Sequence, residues 1–137
     1  MSAKQVGDGS EAVVLAELVD RGYSVAIPFG TTTRTTCSNR TGTELYRLQV
    51  KTGWLERGRV RFKTGSKTTR DGEPTVADYT DQEVDAFAVR CEELGTLYWV
   101  PFAQVGSKST YLRVEPAETD HPSINDAAEF RFDENLP

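Results

Sequence analysis

Apolar residues recur along this chain with two different periods, and each change of period marks an element. Val14, Leu15, Leu18 and Val19 have the three-four spacing of a helix with one buried stripe. A helix is therefore predicted from Glu11 to Arg21. Ser10 would be its N-cap after a flexible Gly7-Asp8-Gly9 lead, and Gly22 its C-terminal stop. The period then falls to two. Tyr23, Val25, Ile27 and Phe29 would share one face of a strand, with Pro28 placing its end at an edge or bend. From Glu44, the apolar positions Tyr46, Leu48 and Val50 alternate with Arg47, Gln49 and Lys51, and Thr52-Gly53 should end that strand. Val60 and Phe62 mark a strand from Arg59 to Thr64, and residues 65–78 read as an exposed polar loop. Thr80-Asp81-Gln82-Glu83 has the capping-box pattern of at least one helical turn. Phe87, Val89 and Cys91 predict a strand, Glu92 to Gly95 a turn, and Thr96 to Pro101 a returning strand. A short helix over Phe102 to Gly106 and a strand over Tyr111 to Val114 follow.

One stretch breaks the pattern. Seven of the thirteen residues from 31 to 43 are threonine, none is acidic, and no hydrophobic period appears. No strand is assigned there. The element order gives an α/β class bordering on α+β, with a mixed central sheet and few flanking helices. Residues 1–115 would form the folded domain. Residues 116–137 would be a polar tail in which Ala127 to Phe132 packs and the final residues fray.

Composition narrows the picture. A chain of 137 residues is one domain with a small core. It has no long apolar run to span a membrane and no signal-peptide core at its start, and Cys37 and Cys91 show no paired spacing. The expectation is a cytoplasmic protein with reduced thiols. Acids outnumber bases by 21 to 16, and only five of the bases are lysine. A surface rich in acid and poor in lysine suits a salt-filled cytoplasm, as in a halophile. A net charge of −5 does not exclude a nucleic-acid partner, because the location of the positive charge decides.

The candidate chemistry lies in the strand after the threonine stretch. Gln49 and Lys51 are two apart and project together, while Val50 points into the core. Glu11 lies upstream in the helix. A carboxylate and an amide oxygen can hold a hard cation, and a lysine beside them can stabilise charge on an attacked phosphate. Arg57, Arg59, Arg61 and Lys63 alternate with Gly58, Val60 and Phe62, making a four-cation stripe suited to a phosphate backbone. Arg47 shares the Gln49 face. Asp85 reads as structural, capping or pairing with an arginine. His121 is the only histidine, which leaves Ser-His-Asp and Cys-His mechanisms without support. No zinc-ligand spacing and no glycine-rich phosphate loop occur.

Glu11, Leu48-Gln49-Val50-Lys51-Thr52-Gly53-Trp54, Tyr79-Thr80, Val84-Asp85-Ala86-Phe87-Ala88-Val89 and Tyr98-Trp99-Val100-Pro101 together resemble the PD-(D/E)XK nuclease superfamily. The likeness is to the branch of endonucleases associated with group I introns, related to Holliday-junction resolvases and restriction enzymes. It implies a restriction-endonuclease-like fold and cleavage of DNA by metal-activated water. Glu11 and Gln49 would hold Mg²⁺ or Mn²⁺, and Lys51 would position the water and stabilise charge. DNA would lie on Arg47, Arg57, Arg59, Arg61 and Lys63. Cutting both strands implies a homo-oligomer. The resemblance also implies an aspartate between Phe29 and Tyr46, and the chain has none. Its absence implies an impaired enzyme, or a DNA-binding module that keeps the fold without catalysis. A local frame change over residues 31–43 would explain the gap, because paired threonine codons entered two bases late can read as Asp or Asn. Translating the gene in its other two frames checks this: one frame should show Asp followed by apolar residues.

Overall fold

The computed structural model of the chain describes residues 2–27, 35–39, 41–70, 73–78, 84–106, 109–115 and 125–137. Its first helix, α1 (Ala3–Asp20), begins about two turns before the expected start. The reason is a capping box further upstream. The Ser2 hydroxyl accepts from the Gln5 backbone N–H at 3.2 Å, and the Gln5 side-chain oxygen accepts from the Ser2 N–H at 2.8 Å. Gly7 and Gly9 each cost about 1 kcal/mol relative to alanine within a helix, which made them look like a lead segment. Tertiary packing overrides that cost, because Ser10, Val14 and Leu18 form a wholly buried face. Ser10 is therefore an interior contact and not a cap. The C-terminus ends as expected. Gly22 sits at φ +89°, its N–H bonds Val19 O, and the Tyr23 N–H bonds Leu18 O.

Among the described residues, nine strands follow: β1 (Val25–Ala26), β2 (Thr35–Ser38), β3 (Leu45–Glu56), β4 (Arg59–Lys63), β5 (Gly65–Arg70), β6 (Glu73–Asp78), β7 (Ala86–Cys91), β8 (Thr96–Pro101) and β9 (Ser109–Arg113). A short 3₁₀ turn (Phe102–Gln104) precedes β9, and a second one (Ala127–Phe130) leads into α2 (Phe132–Asn135). Seven strands make one mixed sheet. Its β3–β7 pair is parallel, and β1–β2, β2–β3, β3–β4, β4–β9 and β7–β8 are antiparallel. The expected class holds, a mixed sheet flanked by few helices.

Four local expectations change. Ile27 is exposed and not on a buried face. Strand β2 occupies part of the threonine-rich stretch, since backbone pairing to β3 and a buried Cys37 suffice to hold it. Strand β3 does not stop at Gly53. A β-carbon there would lie 2.7 Å from Val60 Cγ1 and 3.1 Å from Val89 Cγ1, so the glycine marks a close approach inside the sheet. The polar segment 65–78 is a hairpin, β5–β6, with Arg70 opposite Glu73. Asp71-Gly72 between them is a strong hairpin signal in the sequence. The predicted turn at residues 80–83, the strand end at 28–29 and His121 lie outside the described residues.

The sheet separates two cores. Val14 and Leu18 of α1 pack with Cys37, Leu48, Ala86, Ala88, Trp99 and Phe132 on one side. Val60, Phe62, Phe87, Val89, Val100, Leu112 and Phe130 pack on the other. The end of the chain is anchored and not frayed: Leu136 packs on the first core, and the Tyr23 hydroxyl donates to the Pro137 carbonyl at 2.7 Å. Both cysteines are free and buried. Among the described residues, no helix is long and apolar enough to cross a membrane.

Candidate active site

Strand β3 lies at a fork in the sheet. One of its edges pairs with β7 from Leu48 to Gly53. On the other edge β2 accompanies residues 45–48 and β4 accompanies residues 54–56. Among the described residues, Gln49 to Gly53 therefore lie between the two neighbours, where that edge opens. Gln49 and Lys51 stand opposite Phe87 and Val89 in the parallel register and share a face. Gln49 is 6% exposed and Lys51 is half-buried.

Glu11 is carried by the helix that packs on the opposite face of β3. Helix α1 packs across β3, where the Ser10 and Thr52 hydroxyls meet at 2.6 Å. Glu11 is one residue from that contact on the helix, and Lys51 is one residue from it on the strand. Thr52 itself is on the α1 side of the sheet, opposite the face that carries Gln49 and Lys51. The helix turn and the strand segment are thus pinned side by side.

The cations distribute differently from the expected stripe. Arg59, Arg61 and Lys63 alternate on β4 as predicted. Arg57 does not join them, because Arg57 (φ +52°) and Gly58 (φ +74°) are the two turn residues of the β3–β4 hairpin. Arg47 faces Asp85. Its backbone N–H and Nε donate to Oδ2 at 2.7 and 3.1 Å, and its terminal nitrogen donates to Oδ1 at 3.0 Å. The Arg47 hydrogen bonds and charge hold the Asp85 carboxyl below its ordinary pKa. Asp85 is therefore structural, as expected, and holds the Arg47 guanidinium through Nε and one terminal nitrogen.

Glu44 is the acid nearest to the aspartate gap. It accepts a hydrogen bond from the Tyr46 hydroxyl at 2.7 Å, and that bond raises the phenol's pKa. Among the described residues of β2, Thr36 and Ser38 share the Gln49 face, and Thr36, paired with Arg47, is the nearer of the two to Gln49. Cys37 turns the other way, and its burial raises the thiol pKa to about 11. The sequence carried no sign of Thr36, because its place depends on the β2–β3 register.

The family profile for PD-(D/E)XK endonuclease matches residues 1–133. The chain belongs to the PD-(D/E)XK endonuclease family. Among solved structures, a bacterial homing endonuclease, I-Ssp6803I, superposes with a TM-score of 0.75 at 20% identity. The match covers 96% of this chain and 89% of that one, and at this identity it speaks for the fold. No curated protein matches the chain.

PD-(D/E)XK nucleases generally use divalent metal ions. Among the described residues, the donors fall short of such an ion. Among the described residues, no three His, Cys, Asp or Glu side chains gather as they would around a metal. One helix carboxylate and one amide supply less negative charge than Mg²⁺ sites use to offset dehydration. The donors among the described residues do not fit a tightly held ion.

Proposed function

We propose that this protein is a DNA endonuclease of its family that binds DNA and hydrolyses it slowly. The reading rests on one arrangement within a family member: the Gln49–Lys51 pair at the fork of β3, beside the helix turn that carries Glu11. Lys51 would meet the charge that develops on the attacked phosphate. Glu11 and Gln49 are the proposed ligands for a weakly held Mg²⁺ or Mn²⁺. No catalytic step is assigned to the ion, because the donor set is one acid short. Arg59, Arg61 and Lys63 would hold DNA backbone on the α1 face of the sheet, opposite the face of Gln49 and Lys51, with Arg57 contributing from the adjacent turn.

A second reading, a DNA-binding module without catalysis, is favoured by the same shortage of carboxylates. Incubation with plasmid DNA and Mg²⁺ or Mn²⁺ distinguishes the two. Slow metal-dependent nicking that disappears in Lys51→Ala supports the enzyme, and gel retention with no cleavage supports the module. Cleavage of both strands would require two centres and hence a homo-oligomer, which sedimentation would detect.

A further inference from the structure

The face of the sheet that α1 covers continues past the helix. The main contacts of α1 are with β1, β3 and β7, and they stop short of β4 and β9. On that continuation, register sets Trp54, Arg61 and Tyr111 in one row across β3, β4 and β9. Glu56, Arg59 and Arg113 form the next row, and Lys63 stands opposite Ser109 beyond. The residues are half-buried, and Lys63 is exposed.

The cations here lie on aromatic rings. The Arg59 guanidinium carbon is 4.3 Å from the Tyr111 ring centre, and that of Arg61 is 5.3 Å from Trp54 and 5.7 Å from Tyr111. Among the described residues, their ionic pairing is thin. Glu56 meets Arg61 at 3.4 Å, and Glu115 packs over Gly58 at the hairpin end. Arg61 and Arg113 each bury an Nε that has no acceptor. A guanidinium partly removed from water and incompletely hydrogen-bonded keeps charge that an incoming anion can satisfy. On a protein of net charge −5, this concentration of cations is local and directional.

We propose that this face docks the phosphate backbone of duplex DNA, with Tyr111 and Trp54 as positioning residues that hold Arg59 and Arg61 in place. The proposal deepens the DNA reading above and rests on it. Alternate residues on a strand are about 6.8 Å apart, close to one phosphate step along the backbone of one duplex strand. Arg59, Arg61 and Lys63 can therefore follow one backbone without a change of register.

The test is fluorescence anisotropy of a labelled duplex across a NaCl series, with EDTA present to prevent cleavage. Each lost phosphate contact should lower the salt slope by about 0.9, so the combined Arg59→Ala, Arg61→Ala and Lys63→Ala variant should lose about 2.7. Lys63→Glu, at an exposed position that does not threaten folding, should weaken binding at least about tenfold. Tyr111→Phe should bind as the wild type does. Tyr111→Leu should lose about one unit of slope, at a melting temperature close to that of Tyr111→Phe. Unchanged slopes in the combined variant and in Tyr111→Leu would overturn the docking surface while leaving DNA binding intact elsewhere. A wild-type protein that does not bind the duplex would overturn the DNA reading, and this surface with it.

Discussion

Asp85 shows how single side chains divide between holding the fold and doing chemistry. It accepts three hydrogen bonds from Arg47 and fixes the strand on which Gln49 and Lys51 stand. Its carboxyl pKa is lowered in the folded state. That stabilisation is present above the unfolded value, about 3.9, and is lost as the pH falls through the folded value. Asp85→Asn should therefore destabilise the protein at pH 7 by about 1 kcal/mol, a figure discounted for partial exposure. The gap from the wild type should narrow towards pH 3 in urea titrations, and a gap independent of pH would rule out the ion pair. Asp85 was legible in the sequence as a structural residue, whereas the role of Arg47 was not. Both Arg47 and Gln49 sit at polar positions of an alternating strand, and only the three-dimensional partner separates a structural arginine from a DNA-facing one. Thr36 is the same case. Nothing marks it among seven threonines until pairing with Arg47 puts it on the Gln49 face.

At the scale of elements, the misreadings share a physical cause: glycine and polar residues suggest breaks that tertiary contacts override. Gly53 looked like a strand end and is a point of close packing. Gly53→Ala should cost about 1–3 kcal/mol by crowding Val60 and Val89, measured by urea unfolding. A neutral result would mean that the neighbouring strands yield easily. Gly7 and Gly9 looked like a lead segment and lie inside α1. The Arg57-Gly58 turn was the opposite error, since alternation alone placed Arg57 on a strand. An arginine at positive φ carries a left-handed penalty of about 1–2 kcal/mol, which asparagine bears more easily. Arg57→Asn should stabilise the hairpin by about 0.5–1 kcal/mol, and a lower melting temperature would contradict the turn assignment. Strand β4 is legible by its alternation, and β7 and β8 by short apolar runs that the sheet buries on both faces.

For the whole molecule, the mixed sheet and the family were within reach of the sequence because short motifs in the right order imply a topology. The fork at β3 was not, since it depends on two strands leaving and joining the same edge at different residues. Among the described residues, the fork places the Gln49–Lys51 pair where the sheet opens, and the register leaves Thr36 on the same face with no carboxylate to offer. We propose that this pair is the hydrolytic centre and that it lacks one acid. Mn²⁺-dependent nicking of supercoiled plasmid by wild type, Lys51→Ala and Thr36→Asp tests it most directly. The expected result is slow nicking by the wild type, none by Lys51→Ala, and a rate at least about tenfold higher for Thr36→Asp, equivalent to about 1.4 kcal/mol of transition-state stabilisation. Equal nicking by wild type and Lys51→Ala, with no gain from Thr36→Asp, would contradict it.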